Sequence, residues 1–300
     1  MESHHMNGAP ALAALLLAAS GISHMNNENV SEMTFVLDSH GVYGSAPPLV
    51  LEIDETGHAC AVNLSHDLQQ DMTQRVFTGI GKKCLRATSD LTEKFKLLGS
   101  LVAKETSTEP GRGVHFLKYT LGKGPGQQSG TLALRPRTEA TSEASKIFYS
   151  LHYEISVNGK VDAGIRPELH LRNGHVVELL IHNIGRENVS ITSPREWADS
   201  DDPLVPNVTA SIWSGNQGVV ALLGPDSWRS AEEPEDRIEI LAGETVSLEF
   251  NLPREIVEEV ERFPDAAQIA GDLRFHVHFE NGPSGMATAA IDSKQIKLSR

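Results

Sequence analysis

Two histidines on one predicted strand are the residues whose type and spacing could bind a metal. The segment Asp272 to Glu280 reads DLRFHVHFE, so His276 and His278 lie two residues apart. Alternate side chains of a strand project from the same face, which places both imidazoles on one side of the sheet and apolar residues on the other. Imidazole is a common ligand of zinc and copper, so this pair could form half of a metal site. The simpler interpretation is two surface residues opposite a core-facing stripe.

A metal site there would need a third ligand from another strand. His170, His175 and His182 occur in the segment RPELHLRNGHVVELLIHNIG, and the sequence leaves open whether that segment neighbours His276. The segment resembles the early strands of cupredoxin domains, which are β-sandwiches. Type-1 copper also requires a cysteine thiolate, and residues 146–300 contain no cysteine. The resemblance therefore implies neither copper nor electron transfer, and we expect no cofactor.

The two cysteines, Cys60 and Cys84, could be joined or free, depending on the compartment. In an exported protein, a disulfide between them would close a loop of roughly 25 residues and add about 3 kcal/mol of stability. In the cytosol they would be two buried thiols. Neither cysteine stands in a C-x-x-C motif or in a cysteine–histidine spacing typical of zinc sites, so the sequence gives no support to zinc binding or redox catalysis.

Nucleophilic catalysis has no complete signature in this chain. There is no G-x-S-x-G motif, and the consecutive Ser65, His66 and Asp67 cannot act as a triad by adjacency, because neighbours on a strand point to opposite faces. We therefore name no catalytic residue and favour a protein that is not an enzyme.

Three tryptophans, Trp197, Trp213 and Trp228, all fall in the second half of the chain and near predicted loops. If they are exposed together, they would suit a binding surface, because tryptophan is enriched at the centres of interfaces. The alternative is packing in the core. These three are the candidate binding residues.

The stretch 147–192 gives the clearest signal of the elements that would position these side chains. Asn158-Gly159 and Asn173-Gly174 each separate runs in which apolar and polar residues alternate, which predicts two consecutive hairpins with type I′ turns. On the return strand of the second hairpin, one face should be core: Val177, Leu179 and Ile181. A sheet with one face buried in the core and the other more exposed to solvent favours an antiparallel sandwich.

The whole pattern predicts a mainly β protein with two β-sandwich-like domains and a few short helices. Helical spacing predicts helices over residues 90–102 and 253–263. The polar, turn-rich stretch 135–145 is the predicted linker between a β-rich domain with one helix, at 25–134, and an immunoglobulin-like sandwich, at 146–300.

The N-terminus contains an apolar run from Ala9 to Ala19, followed by Ser20 and Gly21. This run has the length of a signal-peptide core, but no Lys or Arg precedes it. Residues 1–24 are therefore either the signal segment of a secreted or periplasmic protein or a leader on a cytoplasmic one. The run is too short to span a bilayer, and no other segment is predicted to be transmembrane.

The chain is acidic, and the charge is unevenly distributed. Residues 1–136 hold 11 Lys and Arg against 13 Asp and Glu, a formal charge of −2, while residues 137–300 hold 15 against 27, a charge of −12. A negative field repels phosphate backbones, so nucleic acid is excluded as a partner of the second half, whereas a basic protein or a cation would be attracted.

Our leading interpretation is a non-catalytic binding protein that recognises a protein partner through a β-sandwich scaffold, of an inhibitor or immunity type. Two alternatives remain. One is an enzyme or accessory factor of a biosynthetic pathway with a pocket between the domains, and the other is a metal-binding sandwich. The sequence leaves the oligomeric state open.

Overall fold

The computed structural model describes residues 32–39, 48–66, 80–105, 115–135, 138–197, 206–229, 236–264, 266–280 and 284–298. The predicted leader at 1–24 and Asp67 lie outside these ranges.

These ranges contain sixteen β-strands and three α-helices. In chain order they are β1 (Met33–Ser39), β2 (Leu49–Ile53), β3 (His58–Asn63), β4 (Ser65–His66), β5 (Ile80–Arg86), α1 (Ser89–Lys104), β6 (His115–Leu121), β7 (Gln128–Ala133), α2 (Glu139–Asn158), β8 (Lys160–Arg172), β9 (Val176–Asn183), β10 (Val189–Thr192), β11 (Asn207–Ser214), β12 (Gln217–Leu223), β13 (Arg237–Ile240), β14 (Thr245–Asn251), α3 (Arg254–Val260), β15 (Ala266–Phe279) and β16 (Ser284–Lys297).

Nine of the strands form one antiparallel sheet, sheet A, in the order β14-β9-β8-β5-β3-β2-β1-β6-β7. Alternate residues of its strands pack into two different hydrophobic cores, one on each face of the sheet. In β2, Leu51 packs with the apolar residues of α1 and α2, while its neighbour Val50 packs with the core of the second sheet. Because β5 pairs with β8, the two predicted domains share sheet A. The predicted boundaries at 25–134 and 146–300 stay a prediction.

A second sheet, sheet B, has the strand order β12-β11-β15-β10-β13, and β16 pairs with β15 and with the short β4. It packs face to face with sheet A. The two sheets approach closely at Gly271 on β15, where a Cβ atom would lie 2.4 Å from Cδ1 of Leu169 on β8. Two packed sheets with three helices confirm the mainly β, sandwich-like fold, whereas the immunoglobulin-like character of the second domain stays a prediction.

The second predicted hairpin is present, but its loop has one residue more than the two-residue loop of a type I′ turn. Asn173 and Gly174 have the positive φ values of 51° and 73° that a type I′ turn needs, and the His175 amide donates to the Arg172 carbonyl. However, Arg172 pairs with Val176, so His175 is an extra residue and the pairing moves by one. The predicted core face of β9 is confirmed, since Val177, Leu179 and Ile181 are fully buried.

Helix α2 replaces two predicted features, the first hairpin and most of the linker at 135–145. Its start is fixed by a capping box in which Thr138 and Thr141 each bond the other's backbone amide. At the other end, Gly159 has a φ of −72°, which is not the positive value that a type I′ turn requires. The residues that face the sheet have helical spacing: Ala144, Phe148, Leu151 and Ile155.

The other two helices lie where the sequence predicts them. Helix α1 begins after the N-cap Thr88, whose side chain accepts a hydrogen bond from the Leu91 amide. Helix α3 follows Pro253 and buries Val260. In the ranges that the structure covers, no helix is both long enough and apolar enough to cross a membrane.

His152 on α2 should make stability depend on pH. Its Nε2 atom donates to the Val62 carbonyl at 3.3 Å, and Ser156 Oγ lies 3.5 Å from Nδ1. Burial lowers the pKa of the imidazole below 6.5, partly opposed by the Val62 hydrogen bond. The unfolded chain takes up this proton near pH 6.5 while the folded protein does not. Stability should therefore fall as the pH drops below that value, by up to about 1.4 kcal/mol per pH unit.

Urea unfolding at several pH values between about 5 and 8 tests this, with His152→Gln as the comparison, because glutamine keeps a donor and does not titrate. The wild type should lose more stability on acidification than His152→Gln. His115→Gln, at an exposed position on β6, is the control and should behave as the wild type. Equal pH slopes for the wild type and His152→Gln would contradict the prediction.

Candidate functional site

An open groove on the outer face of sheet B, between β10, β13 and β15, has a volume of about 540 Å³. We call it the histidine groove and define it by six of its residues: Thr192, Glu196, Asp236, Arg237, His276 and His278. Its volume lies within the range of about 300–1,000 Å³ that is usual for ligand sites.

The pairing of the three strands places polar residues in two rows across the groove. In the first row, β10 brings Thr192 opposite Arg237 of β13 and within hydrogen-bond distance of the His276 backbone of β15. In the second row, Ser190 lies opposite both Glu239 and His278. Each row therefore combines a hydroxyl, a histidine and a charged side chain from three separate strands.

Strand β15 sets the direction of the two imidazoles. His276 and His278 are exposed, while Phe275, Val277 and Phe279 are buried against sheet A, as the alternation of the sequence predicts. Thr192 Oγ1 also donates to the His276 carbonyl oxygen at 3.2 Å. The histidines therefore stand on a strand whose other face is fixed in the core.

The charged groups of the groove were not identified from the sequence. Glu196 ends a short 3₁₀ turn after β10, while Asp236 and Arg237 stand at the start of β13. A hydrogen bond from the Ser193 amide to the Asp236 carbonyl, 3.0 Å long, ties these two segments together. The pairing of β10 with β15 brings Glu196 near the histidines, and the pairing of β10 with β13 adds Asp236 and Arg237. No local sequence pattern predicts these pairings.

The structure does not bring the three tryptophans together. Trp197 is 3% exposed, stacks on Phe250 with ring centroids 5.6 Å apart, and donates from Nε1 to the Thr192 carbonyl at 3.2 Å. It therefore supports the floor of the groove from within the core. Trp213 and Trp228 are half-buried and lie at opposite ends of the hairpin formed by β11 and β12. The prediction of an exposed binding surface is therefore wrong for Trp197, which is buried. Binding through Trp213 and Trp228 stays a prediction.

A third ligand from the predicted hairpin does not reach His276 and His278. His170 and His182 are on sheet A, where their Nε2 atoms lie 3.6 and 3.5 Å from the two carboxylate oxygens of Glu168. His175 lies in the turn, with Nδ1 2.8 Å from the Asn173 carbonyl oxygen. A metal at His276 and His278 stays a prediction.

Within the described ranges, one group of three metal-type donors converges to within 4.8 Å: His58, Cys60 and Cys84. The two cysteines form a disulfide that joins β3 to β5 at directly opposite positions. In this state their sulfurs are bonded to each other and are not thiolate ligands.

The fold and the groove define a mainly β protein of two packed sheets with an open polar site on one outer face. No protein-family model matches the chain, and no curated protein matches it. Among solved structures, the chain is similar to a Bordetella pertussis protein described as ApaA, with 13% identity and a TM-score of 0.24. The match covers 47% of this chain and 99% of that one. A likeness this slight carries no argument about function.

Proposed function

We propose that this is a non-catalytic binding protein that recognises a protein partner through the histidine groove. The observation that carries the proposal is the groove itself, in which two imidazoles, a guanidinium and two carboxylates meet on the outer face of a packed sheet. Groups of this kind on a fixed strand scaffold are suited to recognition, because they need little ordering when a partner binds. The predicted immunoglobulin-like character and the secreted or periplasmic location remain parts of the proposal.

Strand β13 gives the groove a means of holding an extended segment. It stands at the end of the sheet B order, and among the described residues β10 is the strand that pairs with it. A partner segment could add to its outer edge by backbone hydrogen bonds, while alternate side chains enter the groove. In this arrangement the backbone hydrogen bonds would provide affinity, and the charged side chains of the two rows would select the sequence of the partner segment.

The charge of the second half favours a basic partner. Residues 137–300 carry a formal charge of −12, and the groove contributes Glu196, Asp236 and the adjacent Glu239. Such a field accelerates association with a positively charged protein and weakens as salt is added. The partner that the groove fits best therefore presents Lys or Arg on an extended segment.

Catalysis has less support from the same geometry. In the second row, Ser190 lies between His278 and Glu239. A catalytic triad needs the histidine between the nucleophile and the acid, so that the acid orients the base. The order of this row is therefore that of a polar surface and not that of a triad.

Affinity capture with the full chain tests the proposal. The wild type should retain one stoichiometric basic protein at low salt and release it as salt rises. The triple variant His276→Ala, His278→Ala, Glu196→Lys should bind that protein at least about 10-fold more weakly, because it truncates two groove side chains and places a positive charge against a basic partner. All three positions are exposed, so the melting temperature should be unchanged.

His115→Ala on β6 is the matched control, because it removes an exposed imidazole from sheet A. Its affinity for the same partner should equal that of the wild type. Equal affinity of the groove variant and the wild type would refute the site. A co-purifying small molecule without a protein would refute the function and favour the enzyme alternative.

A further inference from the structure

We propose that reduction of the disulfide turns Cys60 and Cys84 into half of a zinc site, which His58 and Asp162 complete. This site is separate from the histidine groove and does not depend on the proposed function. Two thiolates, an imidazole and a carboxylate are all ligands that Zn²⁺ takes in four-coordinate sites.

The distances between the donor atoms carry the proposal. Cys60 Sγ lies 4.0 Å from His58 Nδ1, and Cys84 Sγ lies 3.7 Å from Asp162 Oδ2. In a tetrahedral site with zinc–ligand bonds of about 2.0–2.3 Å, neighbouring donors are about 3.3–3.8 Å apart. Both cross-contacts are thus near the separation that zinc requires. The group that converges to within 4.8 Å contains His58, Cys60 and Cys84 but not Asp162, so the Asp162 side chain must turn inward as reduction lets the two sulfurs move apart.

Three neighbouring strands supply these four donors. On β3, His58 and Cys60 are two residues apart and share a face, and Cys84 of β5 lies directly opposite Cys60. Asp162 comes from β8 at the point where its pairing with β5 shifts between Lys82 and Lys83. Such a bulge redirects a side chain, and here the carboxylate comes to lie beside Cys84.

The contact between Asp162 and Cys84 has different chemistry in the two redox states. A disulfide sulfur carries no proton, so it donates no hydrogen bond to the carboxylate. After reduction, the same contact joins a sulfur ligand and an oxygen ligand around one cation. The carboxylate is therefore a ready partner for a metal in the reduced protein.

The chemistry balances with a phosphine as the reductant. The phosphorus attacks one sulfur, the S–S bond breaks, and water converts the phosphonium to the phosphine oxide while both sulfurs become thiols. Zn²⁺ then displaces one proton from each thiol, and the two protons pass to solvent. His58 binds as the neutral imidazole.

Metal titration of the full chain tests the proposal. The protein is reduced with a trialkylphosphine, freed of the reductant without air, and titrated with Co²⁺ and then Zn²⁺. We expect one Co²⁺ per chain, with the visible bands of tetrahedral cobalt and a thiolate-to-cobalt charge-transfer band, and its displacement by one Zn²⁺. The oxidised protein should show neither band.

Variants separate this site from other metal binding. Cys84→Ser leaves one thiolate and should lower the intensity of the charge-transfer band by about half or more, while His58→Ala and Asp162→Asn should weaken Zn²⁺ binding by more than about 10-fold. His115→Ala, which removes an exposed imidazole on β6, is the control and should bind Zn²⁺ as the wild type does. Circular dichroism confirms the folding of each variant, and Asp162→Asn keeps the size of the native side chain.

Three results would overturn the proposal. One is a reduced wild type without tetrahedral cobalt bands. Another is wild-type zinc affinity in folded Asp162→Asn and His58→Ala. The third is a charge-transfer band of unchanged intensity in Cys84→Ser.

Discussion

Replacement of Phe250 by alanine is expected to lower the free energy of unfolding by about 3–5 kcal/mol. Phe250 is fully buried on β14 of sheet A, and its ring stacks on Trp197, which follows β10 of sheet B. Truncation removes this contact between the two sheets and leaves a cavity that a close-packed core cannot fill. Urea unfolding, followed by tryptophan fluorescence and by circular dichroism, measures the loss.

Val220→Ala is the control for this experiment. Val220 lies on β12 and is 62% exposed, so its truncation should change the free energy of unfolding by less than about 0.5 kcal/mol. A loss below about 1 kcal/mol for Phe250→Ala would show that the stack of Phe250 and Trp197 is not a principal contact of the core. Trp197 would then be free for another role.

The double variant Cys60→Ser, Cys84→Ser should be less stable than the oxidised wild type by about 3 kcal/mol in the presence of a metal chelator. The disulfide joins residues separated by 24 positions, and it restricts the conformations of the unfolded chain. The denaturation midpoint should fall accordingly. The chelator removes any contribution from a metal.

The phosphine-reduced wild type in the same chelator is the internal control. It should unfold at nearly the same urea concentration as the double serine variant, because both lack the covalent link. Identical midpoints for the oxidised wild type and the serine variant would show that the link adds nothing to stability.

The parts of the fold that could be predicted from sequence are those with a local, strict alternation. In β9 the buried set Val177, Leu179 and Ile181 has the period of two that a strand imposes, and in β15 the histidines alternate with buried residues in the same way. In β15 the second face is exposed, whereas in β9 Val176 and Glu178 on the second face are also buried. The alternation of apolar residues in these two segments therefore predicts the strand and the face that is buried.

The sequence does not predict helix α2, because its apolar residues fit both the helical period of 3.6 and the strand period of two. The residues that face the sheet recur at helical spacing, but the exposed side of the helix also carries large apolar or aromatic residues: Tyr149, Tyr153 and Val157. Together the two sets resemble the alternation of a strand. Because of the apolar residues on its exposed face, the segment has the alternation that predicts a strand of a hairpin.

The histidine groove could be predicted only in part. The orientation of His276 and His278 follows from one strand, whereas Glu196, Asp236 and Arg237 join them through the pairing of β10 with β13 and β15. Strand pairing between distant segments is set by the packing of the whole sheet. No short segment of the sequence shows which distant strands will pair. For the same reason the sequence does not predict that Asp162 lies beside Cys84.

The pairing of β5 with β8 has a consequence for dividing the protein into fragments. A fragment that ends before β8 would uncover the backbone amides and carbonyls of β5, and the complementary fragment would uncover those of β8. Such unpaired edges recruit strands from other molecules. Separating β5 from β8 is therefore expected to make both fragments prone to aggregation.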